Sequence, residues 1–266
     1  MLHCETTMAK YCNSDMTNTK GAFFRTFSCS DKKTYAVKFY DENYGSRILP
    51  NEYVSGLLAK KLGLPCYELK MVNIDRDLLI EEGYGSVTCE QHLGIAFDEN
   101  ASRLSPYNLN RITNLDDISK ILVFDQWIYN VDRGNEYSNL LITNDFGQLR
   151  IIDHSEAFGD RKWTNQSLEE RLSSIVSCSR QDVVYFNLFE QLKNSFSHPN
   201  EEILEFISHL KGISDDHIEH IIQSIPDQWG ISQLEKEKMF AYLIHRKGHI
   251  EEYVFSNQNK IFEMVG

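Results

Sequence analysis

The sequence lacks the features that would place the protein in or beyond a membrane. Its 266 residues contain no apolar run close to the roughly 20 residues that a transmembrane helix needs. The opening stretch, MLHCETTMAKYCNSD, has no apolar core of the kind that a signal peptide carries. We therefore expect a cytoplasmic protein that does not use a membrane as a partner.

Cysteine motifs and positive charge are also scarce. The six cysteines are scattered and no two form a C-x-x-C pair, so neither a disulfide framework nor a structural zinc site is expected. Lys and Arg number 27 against 39 Asp and Glu, which gives a net charge of −12. Proteins that grip nucleic acid by its phosphates usually have a basic surface. Nucleic acid is therefore not expected as a direct ligand.

The first part of the chain has the patterning of strands interrupted by one helix. Residues 22–27 and 35–40 flank a polar turn and predict a β-hairpin. Apolar residues recur at helical spacing over residues 50–62, and Gly63 and Pro65 mark the end of that helix. Two further strands are predicted at 67–74 and 78–80, so the order is strand, strand, helix, strand, strand.

The second part is predicted to be mostly helical. A helix reaching residue 128 is predicted to begin at Asn114 or Asp116, and two short strands flank the turn at 144–147. Further helices are predicted at about 167–177, 181–195, 200–210, 215–224 and 231–254. The pattern indicates an α+β fold with a small β-rich part over residues 1–84 and a larger helical part over residues 85–266.

A lysine and a glutamate in the first part have the pattern of a phosphate clamp. Lys38 lies in the strand-like stretch Tyr35-Ala-Val-Lys-Phe, and Glu52 lies in the helix that follows. A lone strand lysine is more often a solvated side chain. A strand lysine held by a helix glutamate, however, is the arrangement with which kinases hold the α- and β-phosphates of ATP.

Polar side chains in the second part fit metal binding and proton transfer. Asp132 lies in the polar loop 130–139, which Asn139 ends, and such loops are more often simple turns. Asp153 follows an apolar strand, where a carboxylate is costly unless it has a partner or a role. Asn139 and Asp153 are separated by a short hairpin, so their oxygens can meet at one Mg²⁺. The order and spacing of these segments favour kinase chemistry.

These segments resemble the HipA-like kinases, relatives of the kinase toxins of bacterial toxin–antitoxin systems, over most of residues 20–255. The resemblance also includes Asn51-Glu-Tyr-Val, Leu62-Gly-Leu-Pro and Ile152-Asp-His-Ser-Glu-Ala-Phe. Ile225-Pro-Asp-Gln-Trp, followed by a long helix with His245-Arg246, is similar to the short, stand-alone branch of that family. A two-lobed protein-kinase-like fold is what the resemblance implies.

The resemblance also implies cofactors, partners and roles. The cofactors are ATP and Mg²⁺, the acceptor is a protein Ser or Thr hydroxyl, and an antitoxin is a partner to consider. Lys38 would hold the ATP phosphates and Glu52 would orient it. Asp132 would be the catalytic base, and Asn139 and Asp153 would bind Mg²⁺. The hinge that meets adenine is expected at residues 81–83, which include Glu81 and Gly83.

Two departures from the family pattern leave alternatives open. Asn139 follows Asp132 by seven residues, as in the short branch, where the toxin-type loop has five. The expected phosphate loop, Lys20-Gly-Ala-Phe-Phe, has one glycine, which predicts a weak or regulated grip on ATP. The alternatives to a protein kinase are a nucleotide-binding module without catalysis and a kinase that acts on a small molecule or lipid head group.

Overall fold

The first part of the molecule is a closed β-barrel. The structure, a computed structural model, describes residues 4–13, 24–40, 46–84, 87, 89–105, 107–133, 139–172 and 199–255. Five strands close the barrel in the order β1-β2-β3-β5-β4. They are β1 (Thr6–Cys12), β2 (Phe24–Cys29), β3 (Thr34–Lys38), β4 (Leu69–Asn73) and β5 (Gln91–Ala96). Helix α1 (Ile48–Lys61) follows β3, and the short helix α2 (Arg76–Glu81) joins β4 to β5.

The predicted hairpin is formed by β2 and β3. The two strands pair antiparallel with Phe24 opposite Lys38 and Phe27 opposite Tyr35. Phe27, Tyr35 and Val37 are fully buried in the barrel core. Because side chains alternate across a strand, the side chain of Lys38 lies on the opposite face from Val37. Strand β3 also pairs with β5, so Lys38 lies within the sheet rather than at an edge.

One expectation from the sequence, a strand at residues 78–80, is wrong. They were expected to form a strand, but they lie in helix α2, which begins where the Asp75 side chain accepts a hydrogen bond of 2.9 Å from the Asp77 amide. A side-chain cap of this kind satisfies an amide that the first turn of a helix leaves free. The strand that follows is β5, so the barrel continues past residue 84, where the boundary of the β-rich part was predicted.

The second part contains a small sheet and several helices, as predicted. Strands β6 (Ala101–Arg103), β7 (Leu140–Thr143) and β8 (Leu149–Ile151) form an antiparallel sheet. The described helices are α3 (Asp117–Ile128), α4 (Asn165–Arg171), α5 (Pro199–Lys211), α6 (Asp215–Gln223) and α7 (Gln233–Gly248). The predicted helix at 181–195 and most of the expected phosphate loop, residues 20–23, lie outside the described residues. The α+β fold class is confirmed.

Helix α1 packs between the barrel and the helical part. Val54 and Leu58 are fully buried in the main hydrophobic cluster, which also contains Leu93 of β5 and Ile221 of α6. A second connection comes from Trp229, whose Nε1 donates to the main-chain oxygen of Gln91 at 2.9 Å. No helix among the described residues is long and apolar enough to cross a membrane.

Candidate active site

Lys38 is paired with two carboxylates at the junction of the two parts. Its Nζ donates to Asp153 Oδ1 at 2.7 Å and also to Glu52 Oε1. The Glu52 side chain is only 1% exposed, and its other oxygen lies 3.6 Å from His154 Nδ1. Burial by itself favours the neutral amine, but the charges of Asp153 and Glu52 outweigh it and raise the pKa of Lys38 above its usual value. The ammonium is therefore a fixed positive charge.

Asp153 follows β8 in a backbone conformation that few residues adopt. Its φ is 57°, in the left-handed region. The amide and the hydroxyl of Ser155 donate to Asp153 Oδ1 at 3.2 and 2.6 Å. Burial opposes ionisation of this carboxyl, but the Lys38 ammonium and these hydrogen bonds hold its pKa below the usual range. About a third of the side chain, 34%, remains exposed, so the carboxylate still reaches the cleft.

A buried ion pair holds the loop that carries Asp132. Arg133 is fully buried, and its Nε donates to Asp125 Oδ2 of helix α3 at 2.9 Å. The same guanidinium donates to the main-chain oxygens of Asn139, at 2.8 Å, and Ile152. One arginine thus joins α3, the end of the Asp132 loop and the strand before Asp153. This role was not predicted, although an aspartate within the apolar face of a helix was a signal for it.

Asn139 connects Asp132 to Asp153. Its Nδ2 donates to Asp132 Oδ2 at 3.0 Å, and its main-chain oxygen accepts from the Ile152 amide at 3.1 Å. Burial raises the pKa of Asp132; the hydrogen bond from Asn139 opposes the rise, and the Asp153 charge adds to it. Since the amide nitrogen is used by Asp132, the amide oxygen of Asn139 is the atom left for a cation.

A cavity of about 360 Å³ opens beside Lys38. Its walls are largely apolar, with Lys38 and Asp153 among the lining residues, and this combination suits a planar ligand with an anionic tail. The lining residues are Phe24, Ala36, Lys38, Tyr67, residues 95–99, Ala101, Arg103, Leu141, Ile152 and Asp153.

The cavity does not include the residues expected as the hinge. Glu81 and Gly83 are not among its lining residues; Glu81 ends helix α2, and Gly83 follows it with φ 84°. The expectation depended on a strand at 78–80, and that segment is helical. Strand β5 leads into the cavity instead, and residues 97–99 follow it along the wall.

The other site residues are brought together. Lys38 contacts both Glu52 and Asp153 directly. Asn139 donates to Asp132, and a backbone hydrogen bond from Ile152 to Asn139 links this pair to the residue before Asp153. Mg²⁺ in nucleotide sites is usually held by one or two protein oxygen ligands together with phosphate oxygens. The partly exposed carboxylate of Asp153 and the amide oxygen of Asn139 fit that donor set.

A β-rich part, a helical part and a strand lysine paired with a helix glutamate at their junction define the protein-kinase class of fold. A family model described as HipA-like kinase matches residues 17–253, and the chain belongs to that family of phosphotransferases. The family resemblance seen in the sequence is thereby confirmed.

Solved kinase structures share the fold at low sequence identity. The Helicobacter pylori proinflammatory kinase CtkA is 16% identical, with a TM-score of 0.58 over 91% of this chain and 94% of its own. The golgi casein kinase is 12% identical, with a TM-score of 0.50 over 95% of this chain and 73% of its own. No curated protein matches the sequence. At these identities the likeness shows the fold alone.

Proposed function

We propose that the chain is an ATP- and Mg²⁺-dependent kinase that transfers the γ-phosphoryl group to a Ser or Thr hydroxyl of a protein. The observation that carries the proposal is the contact of Lys38 with both Glu52 and Asp153 beside the cavity. The family supports phosphotransfer, and the golgi casein kinase, a fold relative, is named for a protein substrate. That name supports a protein acceptor.

Each site residue has a role in this proposal. Lys38 binds the ATP phosphates, and Glu52 keeps it oriented. Asp153 and Asn139 hold Mg²⁺, which supplies charge neutralisation for the phosphates when it is bound. Residues 97–99 contact the adenine in place of the expected 81–83. The β-rich lobe then ends after β5, at Ala96, rather than at residue 84.

Asp132 is the general base. Its carboxylate accepts the proton of the acceptor hydroxyl while the hydroxyl oxygen bonds to the γ-phosphorus and the bond to the ADP oxygen breaks. A raised pKa suits this role, because a base that is too weak accepts the proton poorly. The partial burial of Asp132 is the cause of the raised pKa.

Labelled-phosphate transfer tests the proposal. The purified protein is incubated with γ-labelled ATP, Mg²⁺ and a cell lysate, and labelled species are identified by mass spectrometry. We expect phosphoserine or phosphothreonine in proteins, lost when EDTA is added. ATP binding without transfer would instead support the non-catalytic module. Label confined to metabolites or lipids would support a small-molecule kinase.

A further inference from the structure

Helix α1 carries two adjacent buried polar side chains with different partners. Glu52 contacts Lys38, whereas Asn51 contacts the segment that follows Asp153. Asn51 is fully buried, and burying an amide is costly unless its donors and acceptor are used. The metal-site chemistry proposed above gives Asn51 no role.

The amide of Asn51 is fully used by the segment 155–163. Its Nδ2 lies 2.8, 2.9 and 3.2 Å from the main-chain oxygens of Ser155, Ala157 and Asp160. Its Oδ1 accepts from Trp163 Nε1 at 2.8 Å. An amide supplies both the donors that carbonyls need and the acceptor that an indole N–H needs. Neither an apolar side chain nor a carboxylate supplies both.

The same segment is also held at its end by Arg47, which precedes helix α1, and at its middle by the end of helix α3. The Arg47 amide donates to the Arg161 main-chain oxygen at 3.0 Å, and the Arg47 guanidinium lies 5.0 Å from the Trp163 ring centre. The Gly159 amide donates to the oxygen of Tyr129, at the end of helix α3, at 3.0 Å. Segment 155–163 therefore joins helix α1 to the start of the Asp132 loop.

The segment also carries two charged side chains that are coupled to the proposed base. The charge of Arg161 lowers the pKa of Asp132, and the charge of Asp132 raises the pKa of Glu156. Arg161 and Glu156 pair with each other at 3.3 Å.

We infer that Asn51 is a positioning residue for phosphoryl transfer. It joins the helix that orients Lys38 to the segment that follows Asp153, and this segment contacts Tyr129 just before the Asp132 loop. Asn51 therefore sets the positions of the metal-binding and base-carrying sides of the site relative to each other. The hydrogen bonds of this amide add to those of Arg47 and Tyr129 in ordering the segment. The inference rests on the proposed function for its effect on turnover, while the ordering of the segment is independent of it.

Two variants separate the hydrogen bonds of Asn51 from its volume. Asn51→Asp keeps the size and the acceptor for Trp163 but cannot donate to three carbonyls when ionised. Asn51→Ala removes both. We expect each to lower kcat by about 10- to 100-fold, the cost of a small misplacement of a catalytic group. Neither touches the ATP cavity, so the KM for ATP should change by less than about threefold.

Trp163→Phe is the matched milder variant. It removes the bond to Asn51 Oδ1 and keeps an aromatic ring beside Arg47, so we expect an intermediate fall in kcat. Hydrogen–deuterium exchange of residues 153–163 should be fastest in the Asn51 variants and intermediate in Trp163→Phe, with helix α5 as the internal reference. If the Asn51 variants do not fold, Trp163→Phe still decides: unchanged exchange and unchanged kcat in that variant would overturn the inference.

The outcomes distinguish this inference from the proposed function. A wild-type protein that transfers no phosphate would contradict the kinase proposal, and the exchange data would still decide whether Asn51 orders the segment. A folded Asn51→Asp variant with a lower melting temperature but wild-type kcat would show that Asn51 is only structural, and the inference would be wrong.

Discussion

The two aspartates of the site lie in opposite electrostatic surroundings. Asp153 is in direct contact with the Lys38 ammonium and accepts two hydrogen bonds from Ser155, and its pKa is lowered. Asp132 accepts a hydrogen bond from the neutral amide of Asn139, is partly buried, and has a raised pKa. When the environment moves the pKa values of two carboxyl groups apart, it separates their roles. Asp153 suits a permanent anion that holds a cation, and Asp132 suits a group that exchanges a proton.

The two regions are also held together differently. The Lys38 region is held by side-chain ion pairs that form part of the proposed binding site. The Asp132 loop is held from behind by Arg133, which contacts Asp125 and two main-chain oxygens. Changes at Lys38 or Asp153 should therefore affect ligand binding, whereas changes at Asp132 should affect turnover and changes at Asp125 should affect folding.

The largest effect on rate is expected from Asp132→Ala. Positioned proton transfer contributes about 10²- to 10⁴-fold to rate, so the kcat for phosphoryl transfer should fall at least about 100-fold in this variant. A base that acts in the transition state contributes little to ground-state binding. The dissociation constant for Mg·ATP, measured by calorimetry, should therefore change by only a few-fold.

The competing interpretation is that Asp132 only stabilises its loop. In that case the melting temperature, nucleotide binding and turnover of Asp132→Ala would fall together. Transfer at a near wild-type rate would show that Asp132 is not the base, and the case for an active kinase would then depend on the family and fold alone.

Asp125→Ala tests whether the buried ion pair supports the loop. The change leaves the Arg133 guanidinium buried without its carboxylate, and breaking such a pair typically costs about 3–5 kcal/mol of folding free energy. Lys120→Ala on the same helix is the matched control, because its pair with Asp117 is partly exposed and worth at most about 1 kcal/mol. Urea unfolding of both variants measures the difference. Equal destabilisation would contradict a special role for the Asp125–Arg133 pair.

The contacts of Lys38 with Glu52 and Asp153 could be anticipated because each residue lies in a segment with a clear period. Strand β3 alternates, Val54, Leu57, Leu58 and Leu62 recur at helical spacing in the sequence, and Asp153 follows an apolar run. The strand expected at residues 78–80 was wrong because these residues form a short apolar run, and such runs do not distinguish strand from helix. The capping side chain of Asp75 was the sequence feature that indicated a helix rather than a strand.

Other features had little signal in the sequence. Most of strand β1 is exposed or half-buried, with Thr7 its buried residue, so it shows no apolar pattern. Strand β5 contains a fully buried histidine, His92, which makes the strand look more polar than its surroundings are. The hydrogen bonds of Asn51 join residues more than 100 positions apart. Contacts of that range are set by tertiary packing and leave no local pattern.

Asp153→Asn should weaken metal-dependent nucleotide binding while the fold is kept. Loss of residues that only support metal ligands typically costs about 10- to 100-fold in metal affinity, so loss of a direct carboxylate ligand should cost at least about tenfold. Asp145→Asn is the control, because Asp145 is an exposed aspartate in the turn between β7 and β8. Calorimetry with Mg·ATP should separate the two variants. Wild-type affinity in Asp153→Asn would count against the assignment of this ligand.

A smaller effect is the expected difference in pH dependence between turnover and binding. Asp132 acts as a base only when ionised, and its pKa is raised above the usual 3.8, so kcat should fall as the pH drops through that raised value. Asp153 has a lowered pKa, so its carboxylate should stay ionised at pH values where Asp132 is already protonated. Mg·ATP binding should therefore persist where turnover has declined by about tenfold per pH unit.

Arg161→Gln should shift the fall of kcat at low pH, the acid limb of the rate–pH profile, in a defined direction. The Arg161 charge lowers the pKa of Asp132, so removing that charge should raise the pKa and shift the limb to higher pH. The shift should be small, because Arg161 is partly exposed and solvent screens its charge. Rate–pH profiles of the wild type, Arg161→Gln and Asp132→Ala make the measurement, and Asp132→Ala should lack the limb altogether. A limb that moves to lower pH in Arg161→Gln, or that persists in Asp132→Ala, would mean that a different group titrates.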